Sequence, residues 1–169
     1  MIKVNFKKTI SEPFCELTVY SSLNPIPLML KLSNASVLPE TIYSRNLAGE
    51  NFIEFRFNKE SKKIYEITIV AIQENTVKLD VSDWDSIGSQ YYECFINDEN
   101  DNESDELIFS EPIQILRSQK SLSFSWGEGI SKKYAIAQNC ILGIDSKGNL
   151  CSIILINLTN ELVYEILGF

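Results

Sequence analysis

Short runs rich in β-branched and aromatic residues recur along this chain, each bounded by Ser, Asn, Gly, Pro or charged clusters. They read IKVNF, CELTVY, PLMLKLS, FIEFRF, KIYEITIVAI, TVKLDV, YYECFI, ELIF, IQIL, LSFSW, YAIA, NCILGI and LCSIILINL. Runs of this length and composition are strand signals. FIEFRF alternates cleanly: Phe52, Glu54 and Arg56 fall on one face, Ile53, Phe55 and Phe57 on the other, which suits a strand with one better-buried side. Ile64 to Ile72 is longer and more uniformly apolar, the pattern of a strand covered on both faces. Many short strands with short turns predict a mostly β fold, a β-rich α+β class built of antiparallel sheets in a sandwich-like arrangement.

A single segment carries a helical signal. Thr159 is a suitable N-cap, and Leu162, Val163, Ile166 and Leu167 fall at i, i+1, i+4 and i+5. Leu162, Tyr164 and Ile166 also alternate, so a last strand competes; a short C-terminal helix is the preferred reading.

Five segments recur in the same order. Ile10-Ser11-Glu12-Pro13-Phe14 is echoed by Phe109-Ser110-Glu111-Pro112-Ile113, and Leu30–Ser33 by Leu122–Ser125. Tyr43 matches Tyr134, Asn51-Phe52-Ile53 matches Asn139-Cys140-Ile141, and the turns before IYEITIVAI and LCSIILINL correspond. The offsets fall steadily: 99, 92, 91, 88 and 86 residues. Two related β units account for this, and so does the small vocabulary of strands and turns, which generates such matches by itself. The implied division is an N-terminal β unit at 1–85, a connecting segment at 86–108 and a C-terminal β unit at 109–169, all within reach of one compact domain.

Charge changes the picture. Between Asp80 and Pro112 lie eleven acidic residues and no Lys or Arg. The whole chain holds 23 acids and 15 bases, so everything outside that stretch carries 12 acids against 15 bases. The net charge of −8 therefore comes from one segment, in which Trp84, Tyr91, Tyr92 and Phe95 are interleaved with the acids. Such a surface offers a basic partner both a field and apolar anchors. With a pI near 4.6, the chain is not expected to bind nucleic acid, because phosphate contacts need a basic surface.

Histidine is absent, which excludes Ser-His-Asp, Cys-His and His-metal chemistry. Cys15, Cys94, Cys140 and Cys151 show no metal-ligand spacing and read as small buried apolar groups of a reducing compartment. Asp98-x-Asn100-x-Asn102 opens like an EF-hand loop, but Glu103 and Phe109 stand where Gly and Glu are required. Trp126-Gly127-Glu128-Gly129 lacks the spacing of a phosphate loop and reads as a turn; Asn58 to Lys63 reads as a hairpin turn. No cofactor or metal is expected. No apolar run approaches the roughly 20 residues that cross a bilayer, and MIKVNFKKTISEPF lacks a signal peptide's h-region. A cytoplasmic protein without membrane contact is the expectation.

The run from Cys140 to Ile156 resembles the closing hairpin of a small bacterial β-rich domain family of unknown function. In that family a strand ends in an Asp-x-x-Gly turn and returns through Leu-x-x-Ile-x-Ile. Asp145 and Gly148 match the turn, and Leu150, Ile153 and Leu155 match the return strand, while Ser152 replaces the usual Gly. Asp145 suits an Asx turn and Gly148 a positive φ. As a whole, and in the run FRFNKESKKIYEITIVAI, the chain is similar to bacterial toxin-immunity proteins, including those of contact-dependent growth inhibition systems. That resemblance implies a small, acidic, non-enzymatic cytoplasmic protein that blocks one cognate toxin.

The expected function is therefore an immunity protein that occludes a toxin with a basic surface, such as a nuclease. The expected contact residues are Asp83, Trp84, Asp85, Tyr91, Tyr92, Asp98, Glu99, Asp101, Glu103, Asp105 and Glu106. A β-rich assembly protein of a phage or secretion system, and a carboxylate- or divalent-dependent enzyme, are the alternatives. The sequence does not give the oligomeric state.

Overall fold

A computed structural model describes residues 1–20, 28–49, 51–71, 77–79, 89–97 and 104–167. The strands are β1 (Val4–Lys8), β2 (Glu16–Val19), β3 (Leu28–Lys31), β4 (Thr41–Ala48), β5 (Asn51–Asn58), β6 (Ile64–Ala71) and β7 (Val77–Leu79). They continue with β8 (Tyr92–Ile96), β9 (Glu106–Phe109), β10 (Gln114–Arg117), β11 (Leu122–Ser125), β12 (Lys132–Ala137), β13 (Cys140–Ile144) and β14 (Leu150–Leu155). Helix α1 (Asn160–Leu167) ends the described chain. The fold is mostly β, as the strand patterns predict.

Two six-stranded sheets and one ribbon hold these strands. The first sheet runs β2-β3-β6-β5-β4-β9, the second β12-β13-β14-β11-β10-β7, and the ribbon pairs β1 with β8. All neighbours are antiparallel except β9 against β4 and β7 against β10.

The repeat read from the sequence has a counterpart in topology. The order β2-β3-β6-β5-β4 in the first sheet is reproduced by β10-β11-β14-β13-β12 in the second. The registers agree too: Leu28 faces Ile69 as Leu122 faces Leu155, and Phe55 faces Ile67 as Leu142 faces Ile153. By register, β2 to β6 map onto β10 to β14 with offsets of 98, 94, 90, 87 and 86. The sequence matches lie within two residues of these. Tyr43 and Tyr134 nevertheless fall one residue out, since Tyr134 occupies the place of Ser44. A one-residue slip reverses the face a side chain takes, so these two tyrosines are not equivalent.

Sheet membership does not follow chain order. Strand β7 leaves the first half to join the second sheet, and β9, which begins inside the connecting segment, joins the first. One hydrophobic cluster draws on both sheets, from Leu28, Phe55 and Ile67 to Phe124, Leu142 and Ile153. Trp126 sits at the junction, its ring 5.8 Å from Phe55 and 6.3 Å from Phe109, with Nε1 donating to the Leu150 carbonyl at 2.9 Å. Burying an indole requires such a partner for its N–H.

Local signals behave as their chemistry demands. Thr159 Oγ1 accepts from the Leu162 amide at 3.1 Å, capping α1, whose Val163, Ile166 and Leu167 are buried. Asn58 Oδ1 accepts from the Glu60 and Ser61 amides, tightening the β5–β6 turn, where Lys62 has φ near 61°. Asp145 Oδ1 accepts from the amides of Lys147 and Asn149, both at 2.8 Å, and Gly148 takes φ near 82°. Strand β6 is buried from Ile64 through Ile69, although one of its faces carries Glu66 and Thr68. Strand β4 has no counterpart among the sequence runs, because its core-facing positions include the fully buried polar residues Ser44 and Asn46.

Candidate functional site

Seven of the expected contact residues, Asp83, Trp84, Asp85, Asp98, Glu99, Asp101 and Glu103, lie outside the described residues. The other four are placed. Asp105 accepts from Lys59 Nζ at 2.6 Å, and Glu106 accepts from Arg45 Nη1. Glu93, in the same acidic segment, accepts from Lys63 Nζ at 2.6 Å. The charge of these three carboxylates is thus compensated by the chain's own bases rather than presented alone. The hydrogen bond to Asp105 holds the Lys59 ammonium above its ordinary pKa. Tyr92 meets the Tyr134 ring edge-on at 5.0 Å, and Tyr134 stacks on Phe6 at 4.0 Å. Tyr92 therefore docks the β1–β8 ribbon onto β12. Tyr91 is half-buried, and its carbonyl accepts from the Thr9 amide at 3.0 Å.

The outer face of the first sheet carries a network not visible in the sequence. Register sets Glu54 beside Arg45 and Glu66 beside Arg56 on neighbouring strands. Glu54 accepts from Arg45 Nε through Oε2 and from Arg56 Nε through Oε1, each at 2.6 Å, and Arg56 Nη1 reaches Glu66 Oε1 at 2.7 Å. Both guanidinium groups lie over the Tyr43 ring, at 4.8 and 5.7 Å from its centroid. Glu54 and Glu66 are each only 4% exposed although they sit on the polar face. Burial works against the charge of Arg56, but its bond to Glu54 and the field of Glu66 outweigh that and raise its pKa. Tyr65 completes the cluster with a 2.6 Å hydrogen bond to Thr41, and burial pushes its phenol upward despite that bond. Leu47 and Ile108 stand exposed on the same face.

At one end of this sheet lies a cavity of about 430 Å³. It is bounded by the β1–β2 loop, the β3–β4 loop, the β5–β6 turn and Glu93. Phe14 and Val37 line it, and Ile10 and Leu38 lie within the same two loops. All four are exposed, Val37 at 77% and Leu38 at 73%. The Lys63–Glu93 pair lies in the wall, while Glu12 at the rim has no bonded partner among the described residues. Isolated exposed apolar side chains are ordinary; here two of them line a concavity and two more stand on the loops that bound it, which makes this end of the sheet the candidate interaction site. The sequence held one signal for it: Val37-Leu38 stands as an apolar pair inside a polar, Pro-ended loop.

The cysteines are not poised for chemistry. Burial pushes the thiols of Cys15 and Cys151 up to about 11 and those of Cys94 and Cys140 higher still, whereas reactive cysteines have depressed values. Among the described residues no three His, Cys, Asp or Glu side chains are placed to hold a metal ion. No described helix is long and apolar enough to cross a membrane. No protein-family model and no curated protein sequence matches this chain.

Proposed function

We propose that the protein is a non-catalytic inhibitor of the toxin-immunity kind, which binds a cognate bacterial toxin in the cytoplasm and blocks it by occlusion. The observation that carries this reading is the 430 Å³ cavity lined by the exposed Phe14 and Val37, on loops that also expose Ile10 and Leu38, with Glu12 at its rim bonded to no partner among the described residues. A cavity of that size accepts one or two apolar side chains, and the Glu12 carboxylate beside it favours a cationic neighbour on the partner. The network of Arg45, Glu54, Arg56 and Glu66 stiffens the adjoining sheet face, so less side-chain freedom is lost on binding there.

Because Glu93, Asp105 and Glu106 are already paired, long-range attraction in this reading rests on the other acids, Glu12 and Glu111 among them. Apolar anchoring supplies the lifetime of the complex and charge supplies its rate of formation. The test is to look for a toxin domain encoded beside this gene and to co-express the two. Growth restored by this protein, and lost again in a Val37→Asp/Leu38→Asp variant that still folds, is the expected outcome. Continued toxicity with the unmodified protein present in excess contradicts it.

A further inference from the structure

The duplicated topology makes a comparison available between two sheet edges. In the second sheet, β7 lies parallel to β10, with Val77, Lys78 and Leu79 opposite Ile115, Leu116 and Arg117. Strand β10 is the counterpart of β2, and residues 115–117 fall on residues 17–19. Strand β2 has the same neighbour in the same direction, yet among the described residues no strand covers its outer edge. Such an edge presents a row of backbone donors and acceptors that templates another strand.

The side chains along β2 state what kind of strand fits. Leu17 and Val19 are half-buried and pack on the core cluster, whereas Glu16 is exposed. Neither Glu12 nor Glu16 has a bonded partner among the described residues, although Lys31 lies in register with Glu16. We propose that the outer edge of β2 receives an extended segment of a partner protein in parallel. Apolar residues lie opposite Leu17 and Val19, and basic residues opposite Glu16 and Thr18. The chain supplies its own precedent, because Val77-Lys78-Leu79 has that alternation at the equivalent edge. The cavity lies at the end of the sheet where β2 begins, next to Leu32 and Ser33. A strand running with β2 therefore starts beside it.

This inference deepens the binding proposal but is testable without any toxin. The probe is a capped heptapeptide of alternating lysine and valine, titrated into the ¹⁵N-labelled full chain, with a glutamate–valine peptide as control. Saturable amide shifts over Glu16–Val19 and slowed amide exchange at alternate residues of that strand are expected. A Glu12→Gln/Glu16→Gln variant, which leaves the core untouched, loses most of the response. The inference is overturned by no saturable shift at millimolar peptide, by equal binding of the glutamate peptide, or by shifts confined to other edges. Amides of β2 already protected before peptide is added, whether by a second copy or by this chain, overturn it as well. Failure here leaves toxin blocking through the cavity standing, and failure of co-expression leaves the edge result intact.

Discussion

Gly143 and Ser152 face each other across β13 and β14, so closely that a Cβ on Gly143 would lie 2.2 Å from Ser152 Oγ. The same Cβ would meet Ile130 Cγ2 at 3.1 Å. Gly143→Ala is expected to destabilise the fold by about 1–3 kcal/mol, the range for overfilling a packed interior. Ser152 Oγ is buried with no hydrogen-bond partner among the described residues, so Ser152→Ala should be neutral or mildly stabilising. Combining the two should recover much of the loss. Urea unfolding of both single variants and the double variant checks the coupling.

Glu54 is the hub of the outer-face network, since each of its oxygens binds a different arginine. Replacing it with Ala removes both bonds and the anion between the two guanidinium groups, leaving Arg45 to Glu106 and Arg56 to Glu66. The arginines are about a third exposed, so water softens the loss. A destabilisation of about 1–3 kcal/mol is expected, between the values for exposed and buried pairs. Glu106→Ala, at the exposed end of the network, should cost less than about 1 kcal/mol. Equal effects of the two in denaturant titrations would show that the network has no hub.

Much of the fold was legible in the chain, and the exceptions have physical causes. Phe55 lies in a run whose alternation fixes its face, and Leu142 and Ile153 lie in runs apolar enough to be buried throughout, so β5, β13 and β14 stood out. Strand β4 did not, because Asn46 turns inward. There it donates to the Glu111 carbonyl and accepts the Glu111 amide, each at 3.0 Å. A polar residue satisfied by distant backbone looks, in sequence, like a break in a strand. The candidate site was less legible still. Alternation put Glu54 and Arg56 on one face, but only strand order brings Arg45 and Glu66 to them. The cavity depends on three loops meeting, which no local pattern encodes.

Acid should weaken the fold partly through Asp145. Burial opposes its charge, but the Asn149 side chain, the amides of Asn149 and Lys147, and the Lys147 ammonium outweigh that and hold its pKa below 3.8. A carboxyl depressed on folding contributes stability that is full above its unfolded value, near 4, and is lost as pH falls through the folded value. Asp145→Asn should therefore lower stability by about 1–2 kcal/mol at pH 7 and flatten the decline below pH 4. Thermal melts from pH 7 to 2 check both.

Thiol labelling reports the interior. With pKa values near 11 for Cys15 and Cys151 and higher for Cys94 and Cys140, only about one thiol in a thousand or fewer is ionised at pH 8. A disulfide reagent should modify the native protein slowly and all four cysteines promptly in denaturant. Rapid native labelling of Cys94 or Cys140 would contradict the shared core.

Whether a toxin is held at the cavity lined by Phe14 and Val37 is read by calorimetric titration of a candidate toxin domain into the full chain. A one-to-one complex is expected, with an affinity that falls at least about tenfold, roughly 1.4 kcal/mol, in the folded Val37→Asp/Leu38→Asp variant. No measurable binding, or undiminished binding by that variant, would contradict it.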